Sequence, residues 1–215
     1  TNVDLQIDPA ELERITANEL TVNSTEVISV SNITGANSDN IGTVRLNALV
    51  SDVRFFDANS TFNTLVVTAD DDIDFFASVT TDTGAISLNA QGTGANDGLI
   101  NTNGDIVIDA ATSLTIQNEN GINGTAGTLT LNADTGITIT GGNITTVGQT
   151  TINSDTTADG NGDLDIGAEI DFSTSGNGLN ITANDLILGT NSTITVTNAD
   201  LVINESHGGG IGFGN

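Results

Sequence analysis

The feature that most constrains this chain is a short triplet that returns at a nearly constant interval. It reads apolar, polar, then small, as in Leu46-Asn47-Ala48, Val67-Thr68-Ala69, Leu88-Asn89-Ala90, Ile108-Asp109-Ala110, Leu131-Asn132-Ala133 and Ile152-Asn153-Ser154. Its last positions are 48, 69, 90, 110, 133 and 154. Within a unit a second apolar-polar-apolar stretch follows soon after the first, from Leu65 to Ile73, Ile106 to Leu114 and Leu129 to Ile137. Alternation with period two, β-branched residues and Gly/Asn/Asp punctuation mark strands. A period near 20 built from two or three such strands is the mark of a β-solenoid.

One coil cannot bury its apolar side alone, so coils stack and pair strands in parallel with the coils above and below. The expected fold is all-β: a right-handed parallel β-helix of about 20–23 residues per coil, the hand following from the crossover rule. Nine or ten coils at about 4.8 Å each predict a rod roughly 45 Å long. The middle Asn, Thr or Asp of each triplet should form a ladder along the axis. The Ala or Ser after it fits a tight corner. Phe55-Phe56 and Phe75-Phe76 stand one period apart and should stack as core filling in adjacent coils.

The chain reads as one β-helix segment over 1–215. Coils over 1–40 are less regular, coils over 41–206 are regular, and 207–215 is a Gly-rich tail or truncated coil. After Ser154 the period breaks, and from Leu179 the strands come closer, with short turns and a more triangular section. Asp8-Pro9-Ala10-Glu11-Leu12-Glu13-Arg14-Ile15 carries helix-start signals, yet within a strand protein it reads as a loop.

Charge limits the partners. The formal charge is −25, with 28 acidic residues against 3 basic ones, all arginine. Binding nucleic acid requires cations to neutralise phosphate, so nucleic-acid binding is excluded, and an anionic membrane surface with it. Cations, basic proteins and other copies of the fold remain. An acidic surface also keeps an edge-rich β-protein soluble. Cysteine is absent, so disulfides and cysteine metal sites are excluded. No apolar run approaches the ~20 residues of a membrane helix. Thr1 stands in place of an initiator Met, which predicts a processed chain or a piece of a longer one, with any export signal upstream.

The runs IDPAELERITANELTVNS, TLTLNADTGITITGGNITT, NGDIVIDAATSLTIQNENGI and GGGIGFG resemble the repeat region of large secreted bacterial exoproteins of the filamentous-haemagglutinin type. That resemblance covers most of the chain. It implies a long right-handed β-helix folded outside the cell, acting as an adhesin, surface fibre or matrix component.

Candidate sites are few. In DGNGDLDIG, Asp159, Asn161, Asp163 and Asp165 fall on positions 1, 3, 5 and 7 of a calcium loop of the EF-hand kind. Position 6 is Leu164 where Gly is needed, position 12 is Ile170 rather than Glu, and Leu164-Asp165-Ile166 has the strand pattern. A metal there would be held by Asp159, Asn161 and Asp163; the alternative is a plain turn. Asp70, Asp71 and Asp72, followed by Asp74, form a denser acidic run that offers calcium or a solvated corner. The Gly-Gly-x-Gly-x-Asp repeat of calcium β-rolls is absent. No cofactor is required.

An enzyme on acidic polysaccharide is the alternative class, because β-helices include pectin-cleaving enzymes. It would need paired carboxylates beside a cation and, usually, aromatic faces for sugar. Lys, Trp and Tyr are absent. Arg45 and Arg54 could share a coil face with Asp52 and Asp57, most simply as a salt-bridged surface. His207 reads as exposed, without a nucleophile or second ligand nearby. Ice or mineral binding would need Thr arrays in register, for which Thr138/Thr140 and Thr193/Thr195/Thr197 are the candidates. Asn-x-Ser/Thr sequons are numerous in so Asn- and Thr-rich a chain and carry little weight.

The reading that results is a non-catalytic structural or adhesive segment of an extracellular or cell-surface fibre. Its expected partners are adjacent repeats, further copies added end to end, or host and cell-surface glycans or proteins. Unpaired strand edges at the terminal coils are templates for such pairing.

Overall fold

The computed structural model describes residues 8–92 and 97–209. The chain winds through three parallel sheets, two of eight strands and one of seven, and each strand pairs with its counterpart one turn away. This is a β-solenoid of about eight turns. We call the sheets faces A, B and C and number the turns from the N-terminus. Face A begins with Ala17–Ser24 and Ile41–Ala48, face B with Ile28–Val30 and Val53–Phe55, and face C with Ser60–Phe62 in turn 2. Turn 8 consists of Leu186–Leu188, Thr193–Thr197 and Leu201–Glu205. At strand spacing, eight stacked strands span about 34 Å, less than nine or ten coils would give.

Alternation decides what faces inward. In Leu114–Asn118, Leu114, Ile116 and Asn118 are buried while Thr115 and Gln117 are exposed. Register then stacks like on like, so Val44, Leu65, Ile86, Leu114, Ile137 and Leu164 form one inward column on face A. Each buried aliphatic side chain contributes about 1.5–3 kcal/mol, but only when the turns on either side cover it.

The triplets do not form a single column. Those ending at 48, 69 and 90 lie on face A, whereas Ile108-Asp109-Ala110, Leu131-Asn132-Ala133 and Ile152-Asn153 lie on face C. Leu88 pairs with Ile116, not Ile108. All three faces need the same inward-outward alternation, so the pattern marks a strand without marking its face. The turns are consequently unequal and depart from the near-constant length that the triplets predict. The step from Ser60 to its partner Val79 is shorter than that length, and the step from Val79 to its partner Ile108 is much longer. The long corner 155–163, between Thr150–Asn153 and Leu164–Ile166, absorbs extra length in its own turn. Only strands must stack, so corners are free to vary.

Leu179–Ala183 closes turn 7, and the three closely spaced strands after it form turn 8. The stacking therefore continues past Ser154. The three-sided section is a property of every turn from 2 onward.

Asp8 to Ile15 is not a plain loop. Pro9–Leu12 forms one helical turn, α1: Glu11 N donates to Asp8 Oδ1 at 2.7 Å, Asp8 N donates to Glu11 Oε2 at 3.1 Å, and Leu12 is buried. The capping box and Pro at the first position outweighed the strand context. A second helical turn, α2 (Gly35–Ser38), packs against Ser60–Phe62, and α1 packs against α2. In the first turn, helix thus occupies the place of a face C strand.

Phe55 and Phe75 stack with ring centroids 5.0 Å apart and 5° between planes. Both are buried, but Phe76 is 50% exposed, since its neighbour has taken the inward position. Above them the column continues as Thr102, Gly124 and Thr146. No helix among the described residues is long and apolar enough to cross a membrane.

Candidate functional site

The Asp70–Asp74 run leads into face B at turn 3, and stacking gathers further groups around it. Arg54 is the outward residue of Val53–Phe55 and lies directly below Asp74. Its Nε donates to Asp74 Oδ2 at 3.0 Å and its Nη2 to Asp52 Oδ2 at 2.5 Å. One turn higher, Asn101 Nδ2 reaches Asp74 Oδ1 at 3.0 Å and Asp72 Oδ2 at 3.1 Å. Leu99 N donates to Asp72 Oδ1 at 2.9 Å. Asp70 is exposed, while Asp71, Asp72 and Asp74 are half-buried and Asp52 is buried.

The electrostatics of this corner are unbalanced. Burial, then the charges of Asp52, Asp72 and Asp97, push the Asp71 carboxyl up to about 6. Burial also raises Asp72, helped by Asp74 and Asp52 and opposed by the donors Leu99 N–H and Asn101. Burial would lower the Arg54 guanidinium, but Asp52 and Asp74 more than offset it and hold it above its ordinary value. One cation thus serves several carboxylates, and the remaining repulsion favours the protonated form of Asp71.

Arg54 therefore has two carboxylates beside it, the arrangement a polysaccharide enzyme would need, with both hydrogen-bonded to the guanidinium. Arg45 does not share that face. It projects from face A and holds Glu19 at 3.2 Å, and Asp57 stands in a corner with φ 59°. The arginines make a salt-bridged surface, split over two faces.

The corner 155–163 is organised by a residue the acidic-loop pattern passed over. Asp155 is buried, and its carboxylate accepts from Asp159 N at 3.1 Å, Gly160 N at 2.9 Å and Ser206 Oγ at 2.5 Å. Burial raises its pKa, but the donors Ser206, Gly160 and Asp159 and the nearby His207 outweigh burial and leave it lower than usual. His207 is exposed and its Nδ1 lies 2.8 Å from the Ala158 carbonyl oxygen. Ser206 and His207 are thus brought to a carboxylate far upstream in the chain, where no partner was expected.

The predicted calcium ligands have separate engagements. Asp159 Oδ1 accepts from Asn161 N at 3.0 Å, and Asp163 Oδ1 accepts from Asn184 Nδ2 at 2.8 Å. Asn161 is exposed. Leu164–Ile166 is a face A strand, and Ile170, at the twelfth loop position, is fully buried. Among the described residues, no group of three or more His, Cys, Asp or Glu side chains is arranged to hold a metal ion.

Side-chain ladders run along the rod. Asn47 Nδ2 donates to Asn23 Oδ1 at 2.8 Å on face A, but Asn23 lies outside the six triplets, and the buried Asn89 Oδ1 two turns above Asn47 has no hydrogen-bond partner. The longer ladder is on face B, through Arg54, Asp74, Asn101 and, at 3.5 Å, Asn123. Thr138 lies between Thr115 and Asp165, and Thr193, Thr195 and Thr197 lie over Asp171, Ser173 and Ser175, so these threonines do not continue as arrays. Near the C-terminal end Gln149, Asn177, Asn180 and Asp200 line an open depression between faces B and C.

The one-period spacing that pairs Phe55 with Phe75 also pairs Arg54 with Asp74 and could have revealed that contact. Nothing comparable marks Asp155. No family model matches the chain, and no curated protein or solved structure is significantly similar to it.

Proposed function

We propose that this chain is a non-catalytic structural or adhesive segment of an extracellular or cell-surface fibre, akin to the repeat regions of filamentous-haemagglutinin-type exoproteins that its sequence resembles. The observation that carries this reading is where the charge sits. Of the described carboxylates only Glu19, Asp74, Asp109, Asp165, Asp171 and Glu205 stand on strands; the others stand on corners, helices or loops. The flat faces between corners present chiefly Thr, Asn and Ser at the outward positions, repeated at strand spacing. Such faces offer hydroxyl and amide groups to glycans, proteins or neighbouring rods, while the charged corners keep the rod in solution.

The test is incubation with an acidic polysaccharide, scoring chain cleavage, alongside adhesion to glycan- and protein-coated surfaces. The expected outcome is adhesion without cleavage. Cleavage that Asp74→Asn abolishes, with the fold retained, would overturn the reading in favour of an enzyme centred on Arg54.

A further inference from the structure

Three-residue corners, 147–149, 176–178 and 198–200, carry the chain across the edge between faces B and C in turns 6, 7 and 8. Lower on this edge, corner side chains bond to the protein itself. Asn59 Oδ1 accepts from Ser78 N at 3.0 Å, and Asp105 Oδ1 accepts from Thr128 N at 2.9 Å and Thr128 Oγ1 at 3.1 Å. Turn 7 instead sets Gly176 and Gly178 on either side of Asn177. A Cβ at Gly176 would meet nothing within 4 Å, and Asn177 Nδ2 is held down on the Val147 carbonyl oxygen at 2.6 Å. The middle corner is thus low, and a notch of about 520 Å³ opens between the corners of turns 6 and 8. Ligand sites typically enclose about 300–1,000 Å³. Gln149 borders the notch from turn 6, Asn180 from turn 7, and Asn198, Asp200 and Val202 from turn 8. Gln149 and Asn180 have turns above and below them, yet neither side chain has a hydrogen-bond partner among the described residues. The notch opens sideways from the edge, so it does not depend on how the stack continues.

We propose that this notch binds a neutral sugar through the side chains of Gln149 and Asn180. The inference rests on the adhesive reading above and gives it a place on the rod and a class of ligand. A carboxamide presents a donor and an acceptor side by side. Adjacent sugar hydroxyls, each able to give and to take a hydrogen bond, complement that pair. Asp200 adds an acceptor, and Val202, 40% exposed, offers an apolar contact to the C–H face of a ring. Charge selects neutrality. The three arginines stand at the other end of the rod, in or before the first strands of faces A and B, so no guanidinium faces the notch. Asp200, in a chain whose formal charge is −25, disfavours an anionic sugar. No aromatic ring lines the notch, so affinity comes from hydrogen bonds and is weak at a single site.

The test is titration of the whole chain with methyl glycosides of glucose, galactose and mannose, followed by heteronuclear NMR. Glucuronic acid and glucosamine serve as charged counterparts. Binding of a neutral glycoside is expected, with shifts in the side-chain amide signals of Gln149 and Asn180 and an affinity unchanged by salt. Gln149→Ala and Asn180→Ala should each lower that affinity about fivefold, with an unchanged circular dichroism spectrum. Asn132→Ala, on face C away from the notch, should leave it unaltered. Shifts at neither Gln149 nor Asn180, or preference for glucuronic acid, would overturn the proposal. Binding of glucosamine alone, weakened by salt, would overturn it in favour of a cation site at Asp200. Adhesion to glycan-coated surfaces separates this proposal from the reading it rests on. If Asn180→Ala adheres as well as the native chain, the site is wrong and the adhesive reading stands. If glycosides bind at Asn180 but no coated surface retains the chain, the adhesive reading falls and the site stands.

Discussion

Asp71 and Asp155 are carboxylates displaced in opposite directions, and each leaves its own signature in pH dependence. Asp71 is raised from 3.8 to about 6, so the folded state binds its proton more readily than the unfolded chain does. Its contribution to stability is complete below pH 3.8 and is lost as pH rises through about 6. Asp71→Asn should therefore stabilise the protein at pH 7, by about 1 kcal/mol after solvent screening. It should also flatten the change in melting temperature between pH 4 and pH 7. Asp155 is lowered, so its contribution is present above 3.8 and lost as pH falls through the still lower folded value. Asp155→Ala strands the amides of Asp159 and Gly160 and the Ser206 hydroxyl. A loss of about 1–3 kcal/mol in urea unfolding at pH 7 is expected, narrowing as pH falls below 3.8.

At the scale of strands and corners, backbone approach rather than side-chain volume is the tightest constraint. Gly141 ends Ile137–Gly141 with φ 113°, and a Cβ there would stand 1.6 Å from the Asn118 carbonyl oxygen one turn below. Gly141→Ala should cost about 3 kcal/mol or more, read as a fall in the urea midpoint at unchanged slope. The strands were legible because alternation is local. The assignment of each strand to a face was not, since Leu88-Asn89-Ala90 and Ile108-Asp109-Ala110 satisfy the same pattern on different faces. Likewise the LDI half of DGNGDLDIG was readable as strand, while the role of Asp155 in holding its corner was hidden. That role depends on Ser206, which stacking alone brings near.

Across the whole molecule the strands of each turn pair only with those of the turns above and below, so stability is chiefly a sum of neighbouring interfaces. The long corner at Asp155 and Ala158 adds a link to Ser206 and His207. Among the described residues, turn 8 pairs with turn 7 alone, and its Leu188 and Leu201 are exposed. Hydrogen exchange should be slowest in turns 3 to 6 and faster by at least two orders of magnitude in Leu186–Leu188 and Leu201–Glu205. Mass spectrometry of exchanged peptides measures this gradient. Uniform exchange across all turns would mean that the rod opens as one unit instead.

The sequence by itself determined that the chain is a stack of short parallel strands, that its core is aliphatic, and that its surface is acidic. Those properties follow from period-two alternation, from a recurring triplet and from composition, all of which are local or additive. Tertiary structure alone decided which strands share a face, which carboxylates crowd around Arg54, and that Asp155 meets Ser206 and His207. Corners of unequal length set the registration between turns, and a change in one corner carries every later residue to a new neighbour.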